Sequence, residues 1–295
     1  MAEEPAAATG GQAGDYVTLA KPRLNLLVVA TTLAGYYMAA PHGLGWALLL
    51  HTLIGTALVA SGASAFNQLL EIDADGLMRR TRARPLPSGR IEPKRAKAFA
   101  FVLSVTGLAQ LAFMVNLLAA GVALVTLLTY TVLYTPLKRR TSLSTVVGGV
   151  PGALPPMIGW AAVRNNLSIE AWILFGIVFL WQMPHFLAIA WMYREDYKRA
   201  GFALLPIVEP DGGSTGRQSV MYAAALLPVS LAPTAAGMSG NVYLAGAAVM
   251  GLGFLALAVR FAWLRTASDA RRLFFGSIVY LPLLWILMVV TRVAT

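Results

Sequence analysis

The chain has 295 residues, of which 58% are hydrophobic and only 12% charged, and its formal net charge is +10. A soluble domain of this size needs more charged surface than that, so a water-facing globule is excluded and a bilayer protein is expected. At roughly 20 apolar residues per span there is room for about eight to ten transmembrane helices and no separate soluble domain. With no cysteine in the chain, disulfides, thiolate nucleophiles and cysteine metal sites drop out as well.

The first fifteen residues, MAEEPAAATGGQAGD, are small and acidic. They have neither the arginines of a transit peptide nor the basic start and apolar run of a signal peptide. A disordered cytoplasmic leader is expected over 1–20, followed by one transmembrane domain over 21–295. Apolar runs interrupted by charge, Gly, Pro or Asn predict nine helices, at 24–40, 46–70, 97–115, 117–136, 143–163, 169–192, 218–237, 241–260 and 273–291. An odd number puts the termini on opposite sides. With the N-terminus inside, 21 of the 23 Lys and Arg residues become cytoplasmic, and only Arg164 and Arg292 lie outside with the C-terminus. The positive charge is therefore topological. The lipid bilayer is the expected partner and nucleic acid is not.

Beyond the leader, nearly all acidic residues sit in two cytoplasmic segments, 71–92 and 195–211, each after a long helix. Both run through carboxylates and a basic stretch to a Leu-Pro, at Leu86-Pro87 and Leu205-Pro206, a faint echo of duplication. In the first, Asn67, Glu71 and Asp75 recur every four residues at the end of the second helix. Four residues turn an α-helix by about 400°, so these groups climb one face in steps of about 6 Å, with Asp73 opposite. One amide and two carboxylates facing a pocket suit Mg²⁺, which takes oxygen ligands and bridges to phosphates. The plainer alternative is a solvated helix end paired with the arginines that follow. Those arginines, Arg79, Arg80, Arg82 and Arg84, are themselves suited to grasping phosphate oxygens. Arg90, Lys94, Arg95 and Lys97 read as topological anchors.

Asn67-x-x-x-Glu71-x-x-x-Asp75, continuing into Met78-Arg79-Arg80-Thr81-x-x-Arg84-Pro85, resembles the motif of the intramembrane aromatic prenyltransferases, UbiA-type enzymes. The Glu-containing variant is most similar to their haem branch, the protohaem farnesyltransferases. Tyr134-Thr135-Pro136-Leu137-Lys138-Arg139-Arg140-Thr141, Gly148 to Pro156, Trp181-Gln182-Met183-Pro184-His185-Phe186 and Asp196 to Gly201 match the same branch. The resemblance implies an all-α bundle of about nine helices around a central cavity open to the cytoplasmic side of a bacterial inner membrane. It implies farnesyl transfer from farnesyl diphosphate to a vinyl group of haem B, giving haem O, with Mg²⁺ on Asn67, Glu71 and Asp75. Arg79, Arg80, Arg84, Lys138 and Lys198 then bind diphosphate. Haem A synthase or oxidase-assembly proteins are the partners it implies. Many relatives carry a second Asp-x-x-x-Asp after the sixth helix; this chain offers Glu195 and Asp196, which leaves a second metal on Asp196 open. Other readings are a different aromatic or quinone-precursor acceptor and, from another class, a secondary transporter, whose polar residues belong near the midplane.

His185 lies within an apolar helix, after Pro184, where an imidazole needs a partner or a task. It is a haem-binding candidate, as iron ligand or porphyrin-positioning group, against a structural hydrogen bond to a neighbouring helix. His42 and His51 are expected to be structural or interfacial. Trp160, Trp172 and Trp263 are expected at the bilayer interface, and Gly148, Gly149 and Gly152 in close helix contacts.

Overall fold

The computed structural model describes residues 12–40 and 43–293. Residues 1–11, most of the expected leader, and His42 lie outside them. The stretch 12–20, expected to continue that leader, is instead the helix α1, Gln12–Ala20. Its Leu19 is fully buried and its Tyr16 ring meets Phe99 at 5.0 Å. Asp15 pairs with Arg90 at 3.0 Å. Short composition hid two apolar residues that a groove between later helices accepts.

Every expected span is helical among the described residues, and seven of the helices or helix stacks are long and apolar enough to cross a membrane. In chain order they are α2 (Pro22–Ala39), α3 (Trp46–Leu70), the short α4 (Ile72–Leu77), α5 (Pro93–Met114) and α6 (Leu117–Leu128). A π-helical segment, Thr129–Tyr134, joins α6 to α7 (Thr135–Leu137). Then come α8 (Ser144–Ala153), α9 (Pro155–Arg164), α10 (Ile169–Met192), the short α11 (Arg194–Arg199) and α12 (Leu205–Val208), α13 (Gly213–Ala235), α14 (Asn241–Leu264) and α15 (Ala267–Val290). α5 starts four residues earlier than its apolar run because Glu92 is its N-cap and Pro93 opens its first turn, where the missing N–H costs nothing. The fifth span is two helices stacked end to end, because Pro155 ends the donor ladder of α8. α10 runs through Pro184 without interruption.

In a bilayer the hydrophobic effect does not distinguish a neighbouring helix from lipid, so close seams depend on small residues. α2 and α9 meet where a Cβ on Gly159 would overlap the Thr32 carbonyl oxygen and one on Gly35 the Pro156 carbonyl. α3 and α5 meet at Gly55, Gly62 and Gly107, where a Cβ on Gly107 would stand 2.7 Å from the Gly55 carbonyl. Gly148, Gly149 and Gly152 behave as expected, pressed against Tyr134, Met183 and Gln182. Large apolar side chains such as Phe113, Val249 and Trp263 are exposed on the outside, as a lipid-facing surface requires. Trp160 departs from expectation: it is 5% exposed, part of the core and not of an interfacial belt.

The two arginines expected outside, Arg164 and Arg292, have a structural task. Arg164 donates to the Ala39 carbonyl at 2.7 Å, and Arg292 to the Ala40 carbonyl at 2.5 Å, so both cap the last turn of α2. They satisfy orphan carbonyls and oppose the negative end of the helix dipole. Lys21 lies at the other end of α2, so the described ends of the chain sit at opposite ends of the bundle. Gly159→Val is expected to lower stability by about 1–3 kcal/mol through overpacking, whereas Gly121→Ala, with nothing within 4 Å of the new Cβ, changes it little. Thermal unfolding of the detergent-solubilised protein checks the pair.

Candidate active site

α3 ends at Leu70, and Glu71 leaves helical geometry at φ −112°, ψ 17° before α4 begins. The helix nevertheless hands over its register. Glu71 N–H donates to the Asn67 carbonyl at 3.1 Å and Asp75 N–H to the Glu71 carbonyl at 2.7 Å, so the four-residue spacing survives the break. Asn67, Glu71 and Asp75 are all buried, and Asp73 is exposed, as the periodicity predicts.

Each buried group meets a cation. Lys138 donates to Glu71 Oε1 at 2.8 Å, Arg84 to Asp75 Oδ2 at 2.7 Å and Lys21 to Asn67 Oδ1 at 3.1 Å. Arg84 reaches back because the Met78 to Gly89 segment coils tightly, with Thr81 Oγ1 donating to the Asp75 carbonyl at 2.8 Å. Lys138 arrives from the fourth span, whose π-helical segment shifts the following side chains around the axis. That segment brings Tyr130 to 3.5 Å from Asn67 Oδ1 and Thr135 to 3.2 Å from Asn67 Nδ2. The Lys138 ammonium also sits 4.4 Å over the Tyr134 ring. Single π turns of this kind recur at functional sites.

The two acidic segments join beside this pocket. Ala74 and Met78 pack with Ala200 and Phe202, and Ala203 N–H donates to the Lys138 carbonyl at 2.8 Å. Arg80 donates to the Tyr197 hydroxyl at 2.8 Å with its guanidinium over the same ring. Arg79 and Lys198 are exposed, and Asp196 is held in an ion pair with Arg199. Of the expected site residues, the fold thus groups Asn67, Glu71, Asp75, Arg84 and Lys138, with Arg80 at the rim. His185 stands apart in the seam between α10 and α15, bonded through Nδ1 to Ser277 Oγ at 2.7 Å. His51 is a structural partner of Gln110 at 2.6 Å.

Lys21 is the residue sequence reasoning assigned only to topology. It occupies the left-handed link between α1 and α2, at φ 48°. Burial, together with repulsion from Arg84 and Lys138, lowers its pKa from 10.5 to about 7, although Glu71 and Asp75 pull the other way. Burial opposes the Lys138 charge too, but Tyr134 and Glu71 outweigh it and hold that ammonium above its ordinary range. The difference is the partner: Lys138 has a carboxylate and Lys21 an amide. A groove of about 440 Å³ opens past Lys21 and Arg84, lined also by Thr18, Leu24 and Gln68. The signal for Lys21 was present in its position before Pro22, at the head of a span, but a lone lysine there has many explanations.

The donor set suits a hard divalent cation. Asp75 Oδ1 is buried without a hydrogen-bond partner, which is costly unless something binds it. No three His, Cys, Asp or Glu side chains gather among the described residues. Two carboxylates and an amide leave the remaining positions to water and substrate oxygens, the habit of Mg²⁺.

The chain belongs to the UbiA prenyltransferase family, whose model matches residues 28–281, and is a prenyltransferase. Within that family it is 50% identical over 287 residues to the protoheme IX farnesyltransferase of Solibacter usitatus (strain Ellin6076), covering 94% of this chain and 98% of that protein. To the enzyme of the same name from Salinibacter ruber (strain DSM 13855 / M31) it is 44% identical, with 94% and 98% covered. Among solved structures it resembles digeranylgeranylglyceryl phosphate synthase, with a TM-score of 0.81 at 19% identity over 94% of this chain and 97% of that one. A UbiA homologue from Archaeoglobus fulgidus bound to GPP and Mg²⁺ aligns with a TM-score of 0.64 at 15% identity over 94% and 100%. Both likenesses bear out the all-α membrane fold.

Lys138→Met strands the buried Glu71 carboxylate and is expected to cost about 3 kcal/mol of stability. Adding Glu71→Gln to it restores most of that loss. Thermal unfolding of the two variants side by side is the check, and equal losses would show that the pair is not coupled.

Proposed function

We propose that this chain transfers the farnesyl group of farnesyl diphosphate to a vinyl carbon of haem B, giving haem O, and that it requires Mg²⁺. The observation that carries the chemistry is the buried Asn67, Glu71 and Asp75 face ringed by Lys21, Arg84 and Lys138. The haem acceptor rests on the relatives named protoheme IX farnesyltransferase, which match nearly the whole chain. The metal is supported by the donor set and by the homologue bound to GPP and Mg²⁺.

Asn67, Glu71 and Asp75 would hold Mg²⁺, which supplies positive charge to the leaving diphosphate. Lys21, Arg84 and Lys138, with Arg80 at the rim, bind the diphosphate oxygens directly and are already in place before the bond breaks, so stabilising the departing charge needs little reorganisation. Arg79, Lys198 and Asp196 stand further out on the same end and complete the expected set. The C1–O bond of the prenyl chain breaks, its electron pair leaving with the diphosphate and an allylic cation remaining. The vinyl π pair of haem forms the new bond to C1. Water then adds to the carbon next to the ring and loses its proton to solvent, leaving a hydroxyethylfarnesyl side chain. The apolar interior excludes water from the first cation.

In this reading the basic end faces the cytoplasm of a bacterial inner membrane, the C-terminus lies outside, and haem A synthase or oxidase-assembly proteins receive the product. The expected domain over 21–295 then also takes in α1, which packs on α3 and α5. Purified protein given haem, farnesyl diphosphate and Mg²⁺ is expected to yield the farnesylated haem by mass spectrometry, with no product after chelation. Glu71→Gln and Asp75→Asn each reduce turnover at least about 100-fold while the protein stays inserted and monodisperse. Turnover with hydroxybenzoate in place of haem would redirect the acceptor assignment.

Lys21 gives the site a pH dependence whose sign is fixed. Its ammonium is half protonated near pH 7 in the free protein and must be charged to bind an anion. Affinity for geranyl diphosphate is therefore expected to fall by up to about tenfold per pH unit above 7. Lys21→Arg, charged throughout, removes that component. Calorimetric titrations at pH 7.0 and 8.5 make the comparison.

A further inference from the structure

Among the described residues, His185 is the one histidine stacked between aromatic rings within a span, where it is half-buried, and the reaction as written above does not use it. Its ring is sandwiched. Trp181 stacks on one side at 5.3 Å and Phe274 at 5.0 Å, each within about 30° of parallel, while Phe186 meets it at 5.8 Å edge to face. The Trp181 indole donates to the Ser277 carbonyl at 2.8 Å, so the packing is itself pinned.

The hydrogen bonds assign the tautomer. Ser277 Oγ has a single proton and donates it to the Phe274 carbonyl at 2.5 Å. The same oxygen stands 2.7 Å from His185 Nδ1, so that contact requires Nδ1–H as donor and Ser277 as acceptor. The proton is then on Nδ1, and Nε2 carries a free lone pair. Nε2 has no hydrogen-bond partner among the described residues, and it is not one of the sealed, unpaired buried atoms. A neutral imidazole whose Nδ1–H is fixed by a second group and whose Nε2 is open is the arrangement of a metal-ligating histidine.

A proton-accepting role fits the surroundings less well. The groups facing the ring from α10 and α15 are Trp181, Phe186, Phe274 and Ser277, none of them a carboxylate. An imidazolium formed there would be a charge in an apolar seam with no counter-ion. Ligating a metal leaves the imidazole neutral.

We infer that His185 Nε2 is an axial ligand to the iron of the haem acceptor, with Ser277 as the positioning residue that fixes its ring and tautomer. The inference rests on the haem acceptor assignment and adds where the porphyrin sits: its iron on the α10–α15 seam. A histidine bond to iron fixes the height and centre of the macrocycle and leaves its rotation to the rest of the cavity.

The test uses the full-length protein in nanodiscs, titrated with ferric haem B and, separately, with metal-free protoporphyrin IX. Wild type is expected to show a histidine-ligated haem spectrum, and in the reduced form an iron–histidine stretch by resonance Raman. His185→Ala loses both signatures and binds haem at least about tenfold more weakly, yet binds protoporphyrin IX as wild type does, since there is no iron to ligate. Added imidazole restores the ligated spectrum to His185→Gly. Ser277→Ala keeps the ligand but lowers the stretching frequency, because the Nδ1–H bond that makes the imidazole more basic is gone. A wild-type spectrum in His185→Ala overturns the ligand assignment alone. If wild type binds neither porphyrin, the haem acceptor assignment fails with it. A variant that keeps the spectrum but loses a limb of the pH–rate profile would make His185 a base instead.

Discussion

The structure depends on keeping three cations and two carboxylates in one half-dry pocket at the end of a membrane bundle. Lys138 and Glu71 are the centre of it, at 2.8 Å with side chains 13% and 8% exposed. Ions taken from water cost several kcal/mol each, so such a pair is weak support for stability in itself. It persists because the neighbours leave no gap: Tyr134 lies under the ammonium, and Arg84 and Lys21 bind the next two oxygens along the face. α3 ends at this point as well, and its unpaired carbonyls favour positive charge in the same place. The pocket therefore carries more cation than carboxylate before any substrate arrives. Lys21, lacking an acid of its own, is the residue that registers the excess.

The rest of the fold can be read as what positions those charges. Glycine seams bring α3 close to α5 and α2 close to α9, and across the α2–α3 junction Lys21 reaches Asn67 Oδ1. The π-helical turn then rotates the end of the fourth span, so that Tyr130, Thr135 and Lys138 all face Asn67 and Glu71. At the far end no comparable group of acids exists among the described residues, and the two arginines there cap carbonyls of α2, Arg292 also lying over the Tyr37 ring. The asymmetry between the ends is thus chemical as well as topological.

Much of this was legible in the sequence because the controlling signals are periodic. All nine apolar runs fell on helices, the fifth as two helices and the seventh and ninth starting five and six residues early, and the four-residue spacing of Asn67, Glu71 and Asp75 survived a break in the helix because the i to i+4 hydrogen bonds did. The parts that escaped were tertiary. Nothing local shows that Tyr16 and Leu19 find a groove, that Trp160 turns inward, or that the fourth span gains a π turn. Charge counting by loop left Lys21 among the topological cations, whereas Arg84 was singled out by its place after the carboxylates. Only packing shows that one faces an amide and the other a carboxylate. Arg79 and Lys198 illustrate the reverse, since their motif strings matched but their side chains stand exposed.

The separation between the charged end and the His185 seam has a mechanistic logic. Bond breaking in a prenyl diphosphate creates an anion and a cation together, and the anion is the harder of the two to accommodate in an apolar medium. In the proposed reaction the anion would form at the bundle end, where Lys21, Arg84 and Lys138 already supply compensating charge. The cation is delocalised and soft, and is better met by π faces than by water, which would capture it. Aromatic rings are present at both places, with Tyr130 and Tyr134 5.5 Å apart beside Lys138 and Trp181, His185 and Phe274 stacked in the α10–α15 seam. A neutral imidazole, like Gln182 and Ser277 in the same interior, adds a polar group there without importing a charge.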